Sequence, residues 1–234
     1  MTDATGRLKA GAAVFILAGL QYASLEGIAA AAWTSPRYDY AYNYISDLGV
    51  AGPQFYDGRE VLSPLAWVMN TAFVLDGVLF VVAAILVSTL FSGVWRGLFL
   101  SFAVLHGVGS VLVGLFNEAA DAGSLHLTGA LLSIVFGNLA VFVVGLCWRR
   151  TGIAGWLGVL SLLLPVLGLV SETGLLLATD PAVHGLWERG GVYTITLWEL
   201  AFGVTMLTRL RSLRTRPGSQ ASGGVLSITD EGLT

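Results

Sequence analysis

The chain has 234 residues, of which 55% are hydrophobic and only 12% are charged, and its mean hydropathy is +0.77. Soluble domains carry about 25% charged residues, so this composition excludes an ordinary soluble domain and indicates an integral membrane protein. The formal net charge is -3, and the one cysteine, Cys147, excludes an intramolecular disulfide or a cysteine-based metal cluster.

Six apolar segments are long enough to cross a bilayer, since about 20 helical residues span its hydrocarbon core. The sequence therefore predicts an all-α fold, a polytopic bundle of six transmembrane helices. A polar lead, residues 1–7, precedes them, and a tail rich in Gly, Ser, Thr and acids, residues 211–234, is predicted to be disordered. The first apolar run is too long for the core of a signal peptide, so we expect an uncleaved helix. The predicted spans are residues 8–32, 65–91, 95–116, 125–148, 153–178 and 190–210.

Lys and Arg are unequally divided between the two ends of this bundle. Nine lie at one end: Arg7, Lys9, Arg96, Arg149, Arg150, Arg209, Arg211, Arg214 and Arg216. Three lie at the other: Arg37, Arg59 and Arg189. Because cytoplasmic loops are enriched in basic residues, both termini are predicted to be cytoplasmic, in a multi-pass protein of the plasma membrane. The opposite loops are acidic, with Asp39, Asp47, Asp57, Glu60, Glu118, Asp121, Asp180 and Glu188.

The only long connection, residues 33–63, begins with a run of aromatic residues: Trp33, Tyr38, Tyr40, Tyr42 and Tyr44. We favour an aromatic belt at the level of the lipid headgroups. The other interpretation is an ordered lid over the mouth of the bundle, because structureless loops of this length are uncommon. At the end of the loop, Ser63-Pro64 predicts the N-cap and first turn of the second helix.

Ionisable residues in spanning helices usually face the bundle interior or a water-filled cavity. Small residues, which mark helix-packing faces, recur beside several of them, as in Gly129, Ser133 and Gly137. Most of these polar groups fall in the outer half, near Ser46 and Asp47 of the long loop, so they predict a polar chamber open to the outer face. The candidates within the helices are Glu26, Asp76, His106, Asn117, His126, Glu172 and Glu199.

Each candidate also has a purely structural interpretation. Asp47 fits a turn cap as well as it fits a site. Asp76 and His106, nearer the midplane on neighbouring helices, form a candidate buried pair that is more simply structural than a proton relay. His126 fits a helix start that bonds loop carbonyls. The carboxylates near the interface, those of Glu26 and Glu172, can reach the headgroup region.

At Tyr44-Ile45-Ser46-Asp47-Leu48-Gly49 the chain resembles the bacterial and archaeal membrane family catalogued as domain of unknown function number 998. Phe116-Asn117 at the end of the third helix and Leu125-His126 at the start of the fourth agree with it, over roughly residues 10–210. Many members are expected to have a proline and an aspartate after the phenylalanine, where this chain has Asn117-Glu118. The resemblance implies the six-span fold, points to Asp47 and His126, and adds no reaction.

We therefore expect a non-enzymatic protein whose chamber binds a lipid, ion or small molecule, or docks a partner. The alternative is a metal-assisted hydrolase or transferase acting on a lipid, in which Asp47, His126 and Glu172 hold a metal or act as acid and base. No H-E-x-x-H or G-x-S-x-G motif supports it. A small transporter with Asp76, His106 and Glu199 as relays is less favoured, unless the chain dimerises.

No cofactor, resident metal or nucleic-acid partner is predicted. The lipid bilayer is the expected partner, and a homodimer is compatible with the sequence.

Overall fold

The computed structural model describes residues 2–56, 58–119 and 123–215, and six long α-helices make up most of this part of the chain. They are α1 (Thr2–Ala32), α2 (Ala66–Val87), α3 (Gly93–Leu115), α4 (Gly123–Thr151), α5 (Gly155–Leu177) and α6 (His184–Thr215). All six are long and apolar enough to cross a membrane, so the predicted all-α bundle of six membrane-spanning helices is confirmed. The tail predicted to be disordered, residues 211–234, is helical over residues 211–215, where α6 continues. Its remainder, residues 216–234, lies outside the described residues, as do Asp57 and Asp121.

The helices form an up-and-down ring in which each packs against the next in sequence and α1 packs against α6. We call one end of the ring the loop end, because residues 33–65 lie there, and the other the basic end. Two boundaries differ from the prediction. Helix α6 starts at His184 and continues through Thr215. Helix α2 starts at Ala66, and the backbone N–H of Ser63 donates to Val50 O at 2.9 Å, so the N-cap predicted at Ser63 is wrong.

Glycines allow the helix backbones of α3 and α4 to touch. A Cβ atom added to Gly109 would lie 2.4 Å from the backbone nitrogen of Ser133, and one added to Gly129 would lie 2.8 Å from the carbonyl oxygen of Gly109. Apolar burial gives little driving force between helices in lipid, so such close contact is what holds them together. The predicted packing role of the small residues in the fourth helix is confirmed at Gly129.

Aromatic side chains fill the middle of the bundle. Phe15 of α1 packs edge-to-face on Phe80 of α2 and on Trp198 of α6, with both pairs of ring centroids 5.3 Å apart. The Phe80 ring also lies 4.3 Å from the ring of His106. This apolar cluster lies beneath the polar groups in the loop-end half of the bundle.

Residues 33–65 fold into an ordered cap on the loop end. They contain a short 3-10 helix, Ser46–Gly49, and a hairpin of β1 (Gln54–Tyr56) with β2 (Arg59–Val61). Ile45 and Leu48 are fully buried against the tops of α1 and α2. Trp33 and Tyr38 are also buried and pack on each other, with ring centroids 5.5 Å apart. The favoured aromatic belt is therefore wrong for these two rings, because the chain folds back over them.

Candidate functional site

Asp47 is the centre of the cap's hydrogen-bond network, and its side chain is 0% exposed. One carboxylate oxygen accepts hydrogen bonds from Asn43 Nδ2 at 2.9 Å and from the backbone N–H of Tyr44 at 3.0 Å. The other lies 3.2 Å from the guanidinium of Arg59, which is also buried. The Arg59 guanidinium also lies over the Tyr44 ring, 4.0 Å from its centroid. Through these bonds, Asp47 holds the cap closed.

Glu26 belongs to a second buried network that ties α1 to α6. Its carboxylate accepts from Tyr193 Oη at 2.7 Å and lies 3.3 Å from the guanidinium of Arg189. The same guanidinium donates to the carbonyl oxygens of Tyr40 and Asn43, each at 2.8 Å. Glu26 is only 2% exposed, so it does not reach toward the headgroup region as one interpretation of the sequence expected.

Ser46, Glu118 and His126 meet beneath the cap. Ser46 Oγ donates to Glu118 Oε2 at 2.5 Å, and His126 Nε2 lies 3.9 Å from the same oxygen. Burial raises the pKa of the Glu118 carboxyl, and the neighbouring Asp47 carboxylate raises that pKa further. The other oxygen, Oε1 of Glu118, is buried and has no hydrogen-bond partner among the described residues.

The ring orientation of His126 is set by the end of α3. His126 Nδ1 lies 2.7 Å from the carbonyl oxygen of Phe116. A carbonyl can only accept, so Nδ1 must carry a proton, and in the neutral ring Nε2 is left as an acceptor. Asn117, next along the chain, uses its side-chain oxygen to accept from the backbone N–H of Ala119 at 3.1 Å. Asn117 thus shapes the turn that presents Glu118.

A cleft of about 450 Å³ opens at the loop end between α4, α5, α6 and the cap. Three carboxylates line it, those of Glu118, Glu172 and Glu188. Glu172 is 6% exposed, and its Oε2 has no hydrogen-bond partner among the described residues. Glu188 accepts a hydrogen bond from the backbone N–H of Ile45. The remaining lining includes Ser46 and His126 and the leucines Leu127, Leu175 and Leu176.

A smaller cavity of about 40 Å³ continues from this cleft toward the middle of the bundle. It shares Ser46, His126 and Glu188 with the cleft, and reaches Asp76 and His106. One water needs about 10–15 Å³ of such space, so the cavity of about 40 Å³ has room for about three or four waters.

His106 repeats the arrangement of His126 one layer deeper. Its Nδ1 lies 2.9 Å from the carbonyl oxygen of Ser133 and therefore donates to it. Its Nε2 lies 3.4 Å from Asp76 Oδ2, within ion-pair distance but without hydrogen-bond alignment. Glu199 is 0% exposed, lines neither space, and has no hydrogen-bond partner for either carboxylate oxygen among the described residues.

The residues proposed as weak metal ligands are not arranged as a metal site. Among the described residues, no group of three His, Cys, Asp or Glu side chains is placed to hold a metal ion. His126 and Glu172 line the cleft, whereas Asp47 does not and is already bonded to Arg59. The residues present therefore do not fit the metal-assisted alternative.

Sequence reasoning did not place Glu118, Glu188, Arg59 or Arg189 in the candidate site. All four were interpreted as charges of the outer loops, yet Arg59 and Arg189 are 3% and 5% exposed. One signal was present: Glu118 directly follows Phe116-Asn117, the sequence that agreed with the family.

The family model described as "Protein of unknown function (DUF998)" matches residues 15–205 of the chain. Neither a curated protein nor a solved structure matches it.

Proposed function

The chain belongs to the DUF998 family of proteins of unknown function, and we propose that it binds a small amphiphile, such as a lipid, in the loop-end cleft. The headgroup lies among Ser46, Glu118 and His126, and the hydrocarbon chain lies beside the leucines. One observation carries the proposal: a single cleft joins unpartnered carboxylate oxygens of Glu118 and Glu172 to an apolar wall.

The polar part of the cleft supports a bound ligand. A buried polar group without a hydrogen bond costs about 1–3 kcal/mol, and more when it is charged. Most buried polar groups in proteins are therefore satisfied by protein or ordered water. Glu118 Oε1 and Glu172 Oε2 lack protein partners and line the same space. A headgroup that donates hydrogen bonds there would satisfy both.

The apolar part of the cleft supports a ligand that comes from the membrane. Leu127 on the first turns of α4 and Leu176 on the last turn of α5 are 53% and 64% exposed. Both helices are candidate spans, so these side chains face the region that lipid covers. The cleft volume of about 450 Å³ lies within the roughly 300–1,000 Å³ of small-molecule sites.

The test is to fill the cleft. Ala130 lines both the cleft and the smaller cavity, and is half-buried, so Ala130→Phe should place a ring where the ligand lies. Leu177→Phe is the matched control, because Leu177 is 75% exposed and lines neither space. Native mass spectrometry of protein purified in mild detergent should show a bound amphiphile on the wild type and the control, and not on Ala130→Phe. Equal retention by all three would overturn the proposal.

A second candidate, hydrolysis of a bound lipid ester, is favoured by the Ser46, Glu118 and His126 arrangement. His126 Nε2 would accept the proton of an attacking water, and the protonated Glu118 carboxyl would give its proton to the leaving alcohol oxygen. The raised pKa of Glu118 suits that second role.

A fluorogenic lipid ester tests this candidate. Wild-type protein in nanodiscs should release fatty acid, and Glu118→Gln should not. If the two release it at the same rate, the reaction is excluded and binding stands alone.

A further inference from the structure

We infer that the cleft recognises an amphiphile whose headgroup is a primary ammonium, held by Glu118, Glu172 and His126. This inference rests on the proposed function and names the ligand class of the same site. It follows from three properties of the cleft: its acidic side chains, its unpartnered hydrogen-bond acceptors and its apolar wall.

The cleft is lined by acidic side chains, and none of them forms an ion pair with a described Lys or Arg. The two buried arginines near it are already paired, Arg59 with Asp47 and Arg189 with Glu26. Among the described residues, no Lys or Arg lies within 4.0 Å of the three cleft carboxylates, those of Glu118, Glu172 and Glu188. A phosphate or carboxylate headgroup would find no basic side chain to pair with there, whereas an ammonium would pair with the carboxylates in their ionised form and would favour loss of the proton that burial holds on Glu118.

Within the described part of the chain, the two buried polar atoms of the cleft that lack a hydrogen-bond partner are both carboxylate oxygens, which are acceptors when the carboxyl groups are ionised. Glu118 Oε1 and Glu172 Oε2 have no donor among the described residues. His126 Nε2 is an acceptor in the neutral ring, because Nδ1 donates to Phe116 O. Ser46 Oγ donates a hydrogen bond to Glu118 Oε2. A primary ammonium supplies three N–H donors to such a set, whereas a quaternary ammonium supplies none.

The apolar wall distinguishes an amphiphilic amine from a free one. Leu127, Leu175 and Leu176 line the same cleft as the carboxylates. Burying one methylene group contributes about 0.8 kcal/mol, so even a few carbons of chain against this wall strengthen binding well beyond that of the headgroup alone.

The experiment uses full-length protein in phosphatidylcholine nanodiscs and isothermal titration calorimetry with four probes. Dodecylamine carries the proposed headgroup, dodecyltrimethylammonium the charge without N–H donors, dodecanoate the opposite charge, and ethanolamine the amine without a chain. Dodecylamine should bind saturably at one site. The other three should bind at least about tenfold more weakly. Dodecyltrimethylammonium loses the N–H hydrogen bonds to a charged group, dodecanoate carries the wrong charge, and ethanolamine lacks the methylene groups that pack on the leucines.

Three variants locate the site. Glu118→Gln and Glu172→Gln should each weaken dodecylamine binding by about tenfold or more. Glu60→Gln is the control for non-specific partition of the amine, because Glu60 is exposed on β2 and lines no part of the cleft; it should bind as the wild type does. Two cleft variants are used, so that misfolding of one leaves the other to decide.

The outcomes separate this inference from the proposed function. One outcome is that dodecanoate or dodecyltrimethylammonium binds as tightly as dodecylamine and is blocked by Ala130→Phe. That result would overturn the primary ammonium as the recognised headgroup and would leave amphiphile binding in place. Ethanolamine binding as tightly as dodecylamine would overturn the amphiphilic source. Wild-type affinity in both Glu118→Gln and Glu172→Gln would overturn the inference, and the absence of saturable binding by any probe would remove the proposed function with it.

Discussion

The guanidinium of Arg189 on α6 lies 3.3 Å from the carboxylate of Glu26 on α1, and both side chains are almost completely buried. The same guanidinium bonds Tyr40 O and Asn43 O of the cap. One side chain thus joins the first helix, the last helix and the loop-end cap. Gly185 makes this approach possible, because a Cβ atom there would lie 2.2 Å from Asn43 O.

Arg189→Met should destabilise the protein by about 3–5 kcal/mol. The substitution leaves Glu26 buried without its charge partner, which is the costly way to break a buried pair. Thermal unfolding followed by tryptophan fluorescence in detergent measures the effect. Arg37→Met is the control, because Arg37 is exposed at the start of the cap and its loss should change little.

The double variant Glu26→Gln/Arg189→Met tests the coupling. Its loss of stability should be smaller than the sum of the two single losses, because the uncompensated charge is gone. Simple additivity would show that the two side chains do not act as a pair.

Asp47→Asn should loosen the cap rather than empty the cleft. The change removes the charge partner of Arg59, and we expect a loss of about 3 kcal/mol or more. Limited proteolysis with trypsin, which cuts after Arg37 and Arg59 when the cap opens, should be faster than in the wild type. Cleavage after Arg37, the site that remains, should be no faster in Asp47→Asn/Arg59→Met than in the single variant. A folded Asp47→Asn protein with a closed cap and no amphiphile binding would instead make Asp47 a ligand-binding residue.

The fold was predictable because each membrane-spanning helix can be recognised from its own stretch of sequence. A run of about 20 apolar residues must satisfy its backbone hydrogen bonds within one helix, and this requirement does not depend on partners elsewhere in the chain. The course of residues 33–65 was not predictable in the same way. Whether Trp33 faces lipid or lies under the cap depends on where Arg189, 156 residues later by number, places its hydrogen bonds.

The candidate site was predictable only in part for the same reason. Helical spacing placed His126 on a packed face, and the structure puts it against α3 and the cleft. Spacing does not reveal that Glu118, in a short turn, points inward to Ser46. Nor does it reveal that Asp47 and Glu26 are paired with arginines, because both arginines look like ordinary loop charges in the sequence.

Gly109→Ala should destabilise the bundle, whereas Gly97→Ala on the same helix should not. The added methyl group at Gly109 meets backbone atoms of Ser133 and Gly129 at 2.4 and 2.5 Å, so α3 and α4 must separate. We expect a cost of about 1–3 kcal/mol or more. A methyl group at Gly97 meets nothing within 4 Å and should stabilise α3 by about 0.5–1 kcal/mol. Equal midpoints of thermal unfolding for the two variants would contradict this account.

Stability should fall as pH rises above the ordinary pKa of a glutamate, 4.5, because the pKa of Glu118 is raised in the fold. In that range the folded protein keeps a proton that the unfolded chain has lost, so folding is favoured most below the ordinary value and less as pH approaches the raised one. The midpoint of thermal unfolding, measured from about pH 5 to about pH 8, should therefore slope downward. Glu118→Gln should flatten the dependence of the midpoint on pH, and Glu60→Gln should leave this dependence unchanged. If Glu118→Gln also leaves it unchanged, the dependence arises from other groups.

The loop end should face the outside of the cell. Of its three arginines, Arg59 and Arg189 are buried in ion pairs, so Arg37 is the one exposed basic side chain among its described residues. The basic end exposes Arg96, Arg149, Arg150, Arg209 and Arg211. Counting only the exposed side chains therefore enlarges the ratio of basic residues at the basic end to those at the loop end, on which the positive-inside rule depends.

Single-cysteine labelling tests this orientation in intact cells. In a Cys147→Ala background, Thr34→Cys on the cap and Ser212→Cys at the basic end both place a thiol at an exposed position. A membrane-impermeant maleimide should label the first in intact cells and the second only after permeabilisation. The reverse pattern would show that the loop end faces the cytoplasm. The cleft would then lie on the cytoplasmic side, and an amphiphile would enter it from the inner leaflet.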